Sequence, residues 1–217
     1  MKITLVLLVS VGLAAPAAAQ TRPVSSPSDA TPPISLRPFF LAAGQNLTAK
    51  ESFKAVFGQS FEPFWGGGLE LAFRNGIFVD VTASRFTKTG QRAFRFDGQN
   101  FGLGIPLTVT ETPFEVTGGF RFRVFPRFIP YAEAGVGSYS YKETSQFSVS
   151  GEDVDTRHAG YLGVVGAEVR LHRWIGVSVD ATYTHVPGIL GAGGISKEAN
   201  ENDLGGVAAR FRVIVGR

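Results

Sequence analysis

The sequence predicts an all-β fold, an eight-stranded antiparallel up-and-down transmembrane β-barrel, and three observations predict it. From Ile34 onward apolar and polar residues alternate with a period of two, in stretches of about ten residues rich in β-branched and aromatic side chains. Lysine is missing from the middle of these stretches: Lys50, Lys54, Lys88, Lys142 and Lys197 all fall in expected connections or at strand tips. Short connections alternate with long ones, which places the two kinds at opposite ends of an even number of strands.

Composition narrows the function classes. Of 217 residues, 18% are charged and 12% aromatic, 27 are glycine and none is cysteine, and the formal net charge is +3. One domain is expected at this length. The absence of thiols excludes a disulfide scaffold, a thiolate metal centre, a thiol nucleophile and a lipid-attached N-terminal cysteine. The net charge is small and scattered, so nucleic acid is not an expected partner. Beyond the N-terminus no apolar run reaches the roughly 18 residues that a membrane helix needs.

In chain order, Met1 and Lys2 precede an apolar stretch over residues 3–15 and the small residues Ala17-Ala18-Ala19. This is the pattern of a signal peptide over 1–19, cleaved so that Gln20 becomes the first residue. Residues 20–33, rich in Pro, Ser and Thr, read as a disordered periplasmic linker, and the barrel is expected over 34–217. In the long connection 48–61, Thr48-Ala49-Lys50-Glu51 has capping-box spacing and Phe53, Val56 and Phe57 follow at helical intervals. That apolar face has three destinations, the membrane surface, the barrel mouth or an apolar ligand, and packing over the mouth is the simplest.

Leu69, Leu71 and Phe73 then oppose Glu70, Ala72 and Arg74, and Arg74-Asn75-Gly76 signals a two-residue hairpin turn. Val79, Val81 and Ala83 oppose Asp80, Thr82 and Ser84, ahead of a long connection over 89–105. Over 107–124, Phe114, Val116, Phe120, Phe122 and Val124 share one face, and Glu111, Glu115, Thr117, Arg121 and Arg123 the other. A short turn over 125–128 surrounds Pro126, and the next long connection covers 144–157. Val165, Ala167 and Val169 oppose Glu168 and Arg170, with a short turn over 171–173. Ile175, Val177, Val179 and Ala181 oppose Ser178, Asp180 and Thr182, and after the connection 187–201 Ala209, Phe211, Val213 and Val215 oppose Arg210 and Arg212. Trp65, Tyr131, Tyr161, Trp174 and Tyr183 lie near strand ends, where amphipathic rings suit lipid headgroups. The glycines within the strands, such as Gly66 to Gly68, Gly118, Gly135, Gly163 and Gly166, are read as sites of sharp bending and close interior packing.

Which face points outward decides the reading. A soluble barrel needs charges along its whole outer wall, whereas an arginine turned toward hydrocarbon at the bilayer midplane costs roughly 2 to 4 kcal/mol. The mid-strand charges are nearly balanced and share one face, which points to an internal ion-pair network of Glu70, Asp80, Glu111, Glu115, Arg121, Arg123, Glu133, Glu168, Arg170, Asp180, Arg210 and Arg212.

The signal peptide, the strand count, the alternation of short turns with long loops and the charged lumen together resemble the small outer-membrane barrel family typified by OmpA and OmpX. The resemblance covers 34–217 and is architectural, without a specific motif. It implies a protein of the bacterial outer membrane in contact with its lipid and lipopolysaccharide, serving as an envelope anchor, a surface-interaction protein through its long loops, or a narrow channel. Such chains usually end in an aromatic residue, and here Phe211 keeps the pattern but not the position.

Other chemistries find little support. His158, His172 and His185 lack ligand spacing; His158 and His185, with Asp153 and Asp155, are the nearest thing to a metal site, and none is expected. A lipid A-modifying enzyme would need a serine and a carboxylate around His185, whose sequence context runs Val186-Pro187-Gly188, with Ser196 across a glycine-rich loop. Glu152, Asp153, Asp155, Glu198, Glu201 and Asp203 make two loops acidic, read as solvated surface. Residues 188–194 lack the lysine of a phosphate loop, so no cofactor is expected. The expected function is therefore structural or surface-interacting and not enzymatic, with passage or binding of small hydrophobic compounds as the alternative.

Overall fold

Eight antiparallel strands close on themselves in chain order: β1 (Ile34–Leu47), β2 (Phe61–Phe73), β3 (Ile77–Phe96), β4 (Gln99–Arg121), β5 (Phe128–Thr144), β6 (Val154–His172), β7 (Ile175–His185) and β8 (Gly206–Val215). Closure comes from β1 against β8, from Phe39 opposite Ile214 to Leu47 opposite Gly206. The computed structural model describes residues 34–145, 154–191 and 194–216. The expected signal peptide and linker lie outside the described residues. Two helices accompany the strands, α1 (Lys50–Phe57) between β1 and β2, and α2 (Gly194–Glu198) between β7 and β8.

Following paired residues once around the wall leads from Arg37 through Glu70, Asp80, Thr117, Gly135, Leu162, Thr184 and Gly206 back to β1 at Leu47, ten positions further along that strand. This stagger tilts the strands into the range of roughly 35–45° that closed barrels require. Both ends of the described chain lie at the short-turn end, with Ile34 opposite Phe73 and Val215 opposite Ile175.

The period of two is obeyed on both faces. Outward positions run Leu69 and Leu71 on β2, Val79 and Val81 on β3, Phe114, Val116 and Phe120 on β4, Val165 and Val169 on β6, and Val177, Val179 and Ala181 on β7. No charge faces outward across this belt. The first outward charges, Arg85, Lys142, Asp155 and Arg157, all lie toward the long-loop end. There the outer wall of β3 and β4 also turns to threonine, with Thr87 beside Thr110 and Thr89 bonded to Thr108 at 2.9 Å.

Several sequence expectations need correction. Residues 89–105 are not a loop: β3 and β4 continue as a protruding hairpin closed by Asp97-Gly98, both at positive φ, the two-residue turn geometry that the sequence reading had assigned to Asn75-Gly76. At the latter only Gly76 has positive φ (96°); its N–H bonds Phe73 O and the Ile77 N–H bonds Asn75 Oδ1, so the connection is a three-residue loop ending in a left-handed glycine. The 107–124 strand ends at Arg121, which leaves Phe122, Arg123 and Val124 in the following turn. Tyr131 is not in the outer ring of aromatics: it is buried in the lumen, while Trp65, Tyr161, Trp174 and Tyr183 are exposed as expected. Interior crowding explains some glycines only. A Cβ on Gly166 would come within 2.8 Å of the Tyr131 hydroxyl, whereas Gly118 and Gly163 face outward into open space.

Candidate functional site

The lumen is filled in layers, and the alternation of each strand sets what each layer contains. Nearest the short turns, Arg37 on β1 binds Glu70 on β2 at 3.0 Å and Glu168 on β6 at 2.5 Å. Arg121 on β4 joins the same two carboxylates, hydrogen-bonding Glu70 and lying 3.3 Å from Glu168, with its guanidinium 4.2 Å from the centre of the Phe78 ring. All four charged groups are buried.

Above them Arg212 on β8 is the hub. Its nitrogens reach Asp80 at 2.7 Å, Glu133 at 2.8 Å and Asp180 at 3.1 Å, and donate to the Tyr131 hydroxyl at 2.6 Å. Tyr131 passes its own proton donation on to Asp180 at 2.8 Å, and Thr117 donates to Glu133 at 2.7 Å. Arg210 extends the chain, 2.6 Å from Asp180 and 3.6 Å from Glu115, which accepts from the Tyr139 hydroxyl at 2.8 Å. Charges taken out of water must be paired and their remaining hydrogen-bonding groups satisfied, or the desolvation penalty exceeds the attraction. Within each layer the carboxylates, guanidinium groups and hydroxyls meet that condition for most of their members.

Of the twelve charged residues expected to line the lumen, nine take part in buried ion pairs, which form two layers. Glu70, Arg121 and Glu168 belong to the layer nearest the short turns, and Asp80, Glu115, Glu133, Asp180, Arg210 and Arg212 to the layer above it. Arg170 sits at the margin of the former, half-exposed and 3.7 Å from Glu168. Arg123 is exposed in the turn after β4, because the strand stops two residues before it. Glu111 is buried but takes part in no ion pair among the described residues, and its Oε2 has no hydrogen-bond partner; its cross-strand neighbours Phe86 and Tyr141 belong to the apolar layer above the network. Sequence reasoning missed Arg37, Glu62, Lys88 and the tyrosine hydroxyls. The alternation of Ile34, Leu36, Pro38 and Phe40 outward would have placed Arg37 inward.

Toward the long-loop end the lumen becomes apolar. Leu47, Phe53, Phe64, Phe86, Val109 and Tyr139 pack together with Val186, Ile189 and Leu204 from the last loop. One ion pair enters this layer, Glu62 with Lys88 at 2.8 Å. Helix α1 closes the mouth, with Phe53 buried and Phe57 set edge-on against Phe86 at 6.0 Å. The expected capping box does not form: Ala49 is the N-cap and makes no side-chain bond. Glu201 from the distant last loop does the capping instead, accepting from the N–H groups of Glu51 and Ser52 at 2.9 Å each and from the Ser52 hydroxyl at 2.7 Å. Between α1, the protruding hairpin and the last loop lies a cavity of about 490 Å³, walled by Phe53, Val56, Phe57, Leu103, Leu107 and Ile189.

The titratable loop residues take structural places. Asp203 accepts from the N–H groups of Val186 at 2.7 Å and Gly205 at 2.9 Å and pairs with His185 Nδ1 at 2.9 Å, so it and Glu201 are loop fasteners rather than the solvated acids expected. His185 does have an orienting carboxylate, contrary to the sequence reading; Ser196, however, accepts from the Gly191 N–H within its own loop. By alternation His158 and His185 fall on opposite faces of the adjacent strands β6 and β7, and no cluster of three metal-ligating side chains occurs among the described residues. Glu152 and Asp153 lie outside the described residues, and Asp155 pairs with Lys142 at 2.7 Å.

No protein-family model matches this chain, and no curated protein matches it. Among solved structures it is similar to the N-terminal β-barrel domain of Pseudomonas aeruginosa OprF, at 11% identity over 84% of this chain and 97% of that one, with a TM-score of 0.48. It is similar also to Ail, the attachment invasion locus protein of Yersinia pestis, at 12% identity over 84% and 96% with a TM-score of 0.49. The neisserial surface protein A, NspA, gives 9% identity over 84% and 95%, again with a TM-score of 0.49. What the chain shares with them is fold, that of a small eight-stranded barrel, and its role is read from its own residues.

Proposed function

We propose that this protein is an integral outer-membrane barrel that serves as a structural or surface-interaction component of the cell envelope, with a lumen closed to ions. In this reading residues 1–19 direct export and are removed after Ala19, residues 20–33 form a periplasmic linker, and the short turns face the periplasm. The carrying observation is the inversion of polarity: an uncharged apolar belt outside and a lattice of buried ion pairs inside. The belt suits a hydrocarbon layer and leaves outer-membrane lipid and lipopolysaccharide as its surroundings, while the long-loop end is left for contacts at the cell surface. The reading is non-enzymatic: Asp203 holds the loop through the Val186 and Gly205 N–H groups as well as His185, and the Ser196 hydroxyl accepts from the Gly191 N–H.

Two measurements test it. Outer membranes should contain the chain as a species whose gel mobility changes on boiling, and purified protein in planar bilayers should give no steady conductance. A chain recovered in the soluble periplasm, or one that conducts steadily, overturns the reading.

The apolar cavity favours a second reading, binding of small hydrophobic compounds at the outer mouth. A cavity of this size with mainly apolar walls lies within the range of small-molecule sites. Saturable binding of the fluorophore N-phenyl-1-naphthylamine to the folded barrel, weakened by Phe57→Asn, supports it; identical binding by wild type and variant rejects it.

A further inference from the structure

A second cavity, of about 220 Å³, opens at the short-turn end, and six of the fourteen residues that line it are arginines. Arg37 and Arg121 line it from within the barrel, and Arg74, Arg123, Arg170 and Arg173 surround them. Glu168 is the one carboxylate in the lining. It and Glu70 are already engaged by Arg37 and Arg121, and Arg170 also leans on Glu168 at 3.7 Å. Two carboxylates therefore face six guanidinium groups, and the surplus is positive.

The turns around this cavity reinforce the imbalance. Residues 74–76, 122–127 and 173–174 contain Arg74, Arg123, Arg127 and Arg173 and not one Asp or Glu. Like charges held this close repel, and the arrangement is costly unless an anion relieves it. The interior supplies an independent sign. Arg37 and Arg121 are each only 4% exposed, and the Nε atom of each is buried without a hydrogen-bond partner. Buried donors are nearly always satisfied, so two orphaned Nε–H groups on the two arginines that line this cavity from within mark a region short of acceptors; the Nε atoms themselves are shielded, and the outer guanidinium nitrogens are the ones left to meet a ligand. A tetrahedral oxyanion has the several oxygens and the charge that guanidinium forks recognise.

We propose that the short-turn cavity binds a phosphate-class oxyanion, held by Arg37 and Arg121 from within and by the arginines of the turns at the rim. The phosphate is either free or the headgroup of an anionic phospholipid. The lipid source rests on the membrane reading above; binding of the oxyanion does not.

The experiment uses the full barrel folded in a neutral detergent at low ionic strength, titrated calorimetrically with inorganic phosphate. Saturable binding at one site is expected, weakened roughly tenfold or more in the triple variant R74Q/R123Q/R173Q, which removes three rim charges outside the strands. A second triple variant, R85Q/R95Q/R157Q, removes the same charge at the other end and should bind as the wild type does. A boiling-dependent gel shift in all three proteins establishes that each is folded. No saturable binding by the wild type, or equal weakening in both triple variants, overturns the proposal. The source is read separately in phosphatidylcholine nanodiscs containing phosphatidylglycerol. Phosphatidylglycerol retained by wild type but not by R74Q/R123Q/R173Q identifies a headgroup, and phosphate binding without such retention identifies a free oxyanion; both support the site. A chain that binds phosphate yet does not fractionate with outer membranes refutes the membrane reading alone.

Discussion

Arg212 is the residue on which the lumen most depends, since one guanidinium holds three carboxylates and a tyrosine hydroxyl, joining four strands in all. Removing it leaves Asp80, Glu133 and Asp180 facing one another in a buried space, and breaking a buried pair from one side costs about 3–5 kcal/mol. The variant Arg212→Met is therefore expected to lower the unfolding free energy of the barrel, read from urea titration in detergent, by that much, and adding Asp80→Asn should recover part of the loss because the two sites share one interaction. Additive effects would show that the network is not a unit. At this scale the sequence was readable wherever strand phase was clear. The phase that sets Phe211 and Val213 outward sets Arg210 and Arg212 inward. Arg123 was misread because periodicity does not reveal that pairing with β5 stops at Arg121. Partner choice was not readable either: nothing in the order of residues tells that Arg37 will meet Glu168 across 131 positions.

Elements follow the same division. The strands announce themselves by alternation, and the apolar spacing of Phe53, Val56 and Phe57 announces α1. The helix cap is tertiary, supplied by Glu201 from 150 positions away, so the local Thr48-to-Glu51 spacing was a false signal. Substituting Glu201 by Ala removes both acceptors from the first turn of α1 and should cost about 1 kcal/mol locally. Hydrogen exchange at the amides of Glu51 and Ser52 is expected to accelerate while the boiling-dependent gel shift is unchanged; unaltered exchange would assign the cap to another group. The β3–β4 hairpin makes a second case. Its Asp97-Gly98 turn was written in the sequence, but the threonine-rich stretch before it looked like a polar loop rather than a strand above the apolar belt. Since residues 93–102 lie above that belt while Ala93 lines the outer cavity, replacing them by Asn-Gly is expected to leave a folded barrel that binds N-phenyl-1-naphthylamine more weakly. Failure of this variant to fold would make the hairpin part of the barrel's stability.

For the whole molecule, closure with a ten-residue stagger has a consequence that single strands do not show. Every strand is flanked by two others, so a slip in any one would have to propagate around the ring, and inward and outward sets are locked together. The outer surface then behaves as one depth scale, from Trp174 at the short turns to the threonines and Arg85 near the long loops. Val179 stands midway along the outward row of β7, between Ile175 and Tyr183, and is 63% exposed; Thr110 stands above the belt on β4. Placing arginine at each position asks where hydrocarbon begins and ends. Val179→Arg is expected to destabilise the barrel in phospholipid vesicles by roughly 2–4 kcal/mol and Thr110→Arg by no more than about 1 kcal/mol, because the cost of a lipid-facing cation falls from midplane to interface. Equal costs at the two positions in vesicles would mean that the belt does not sit in a bilayer, and the inverted polarity would then have to be covered by protein instead.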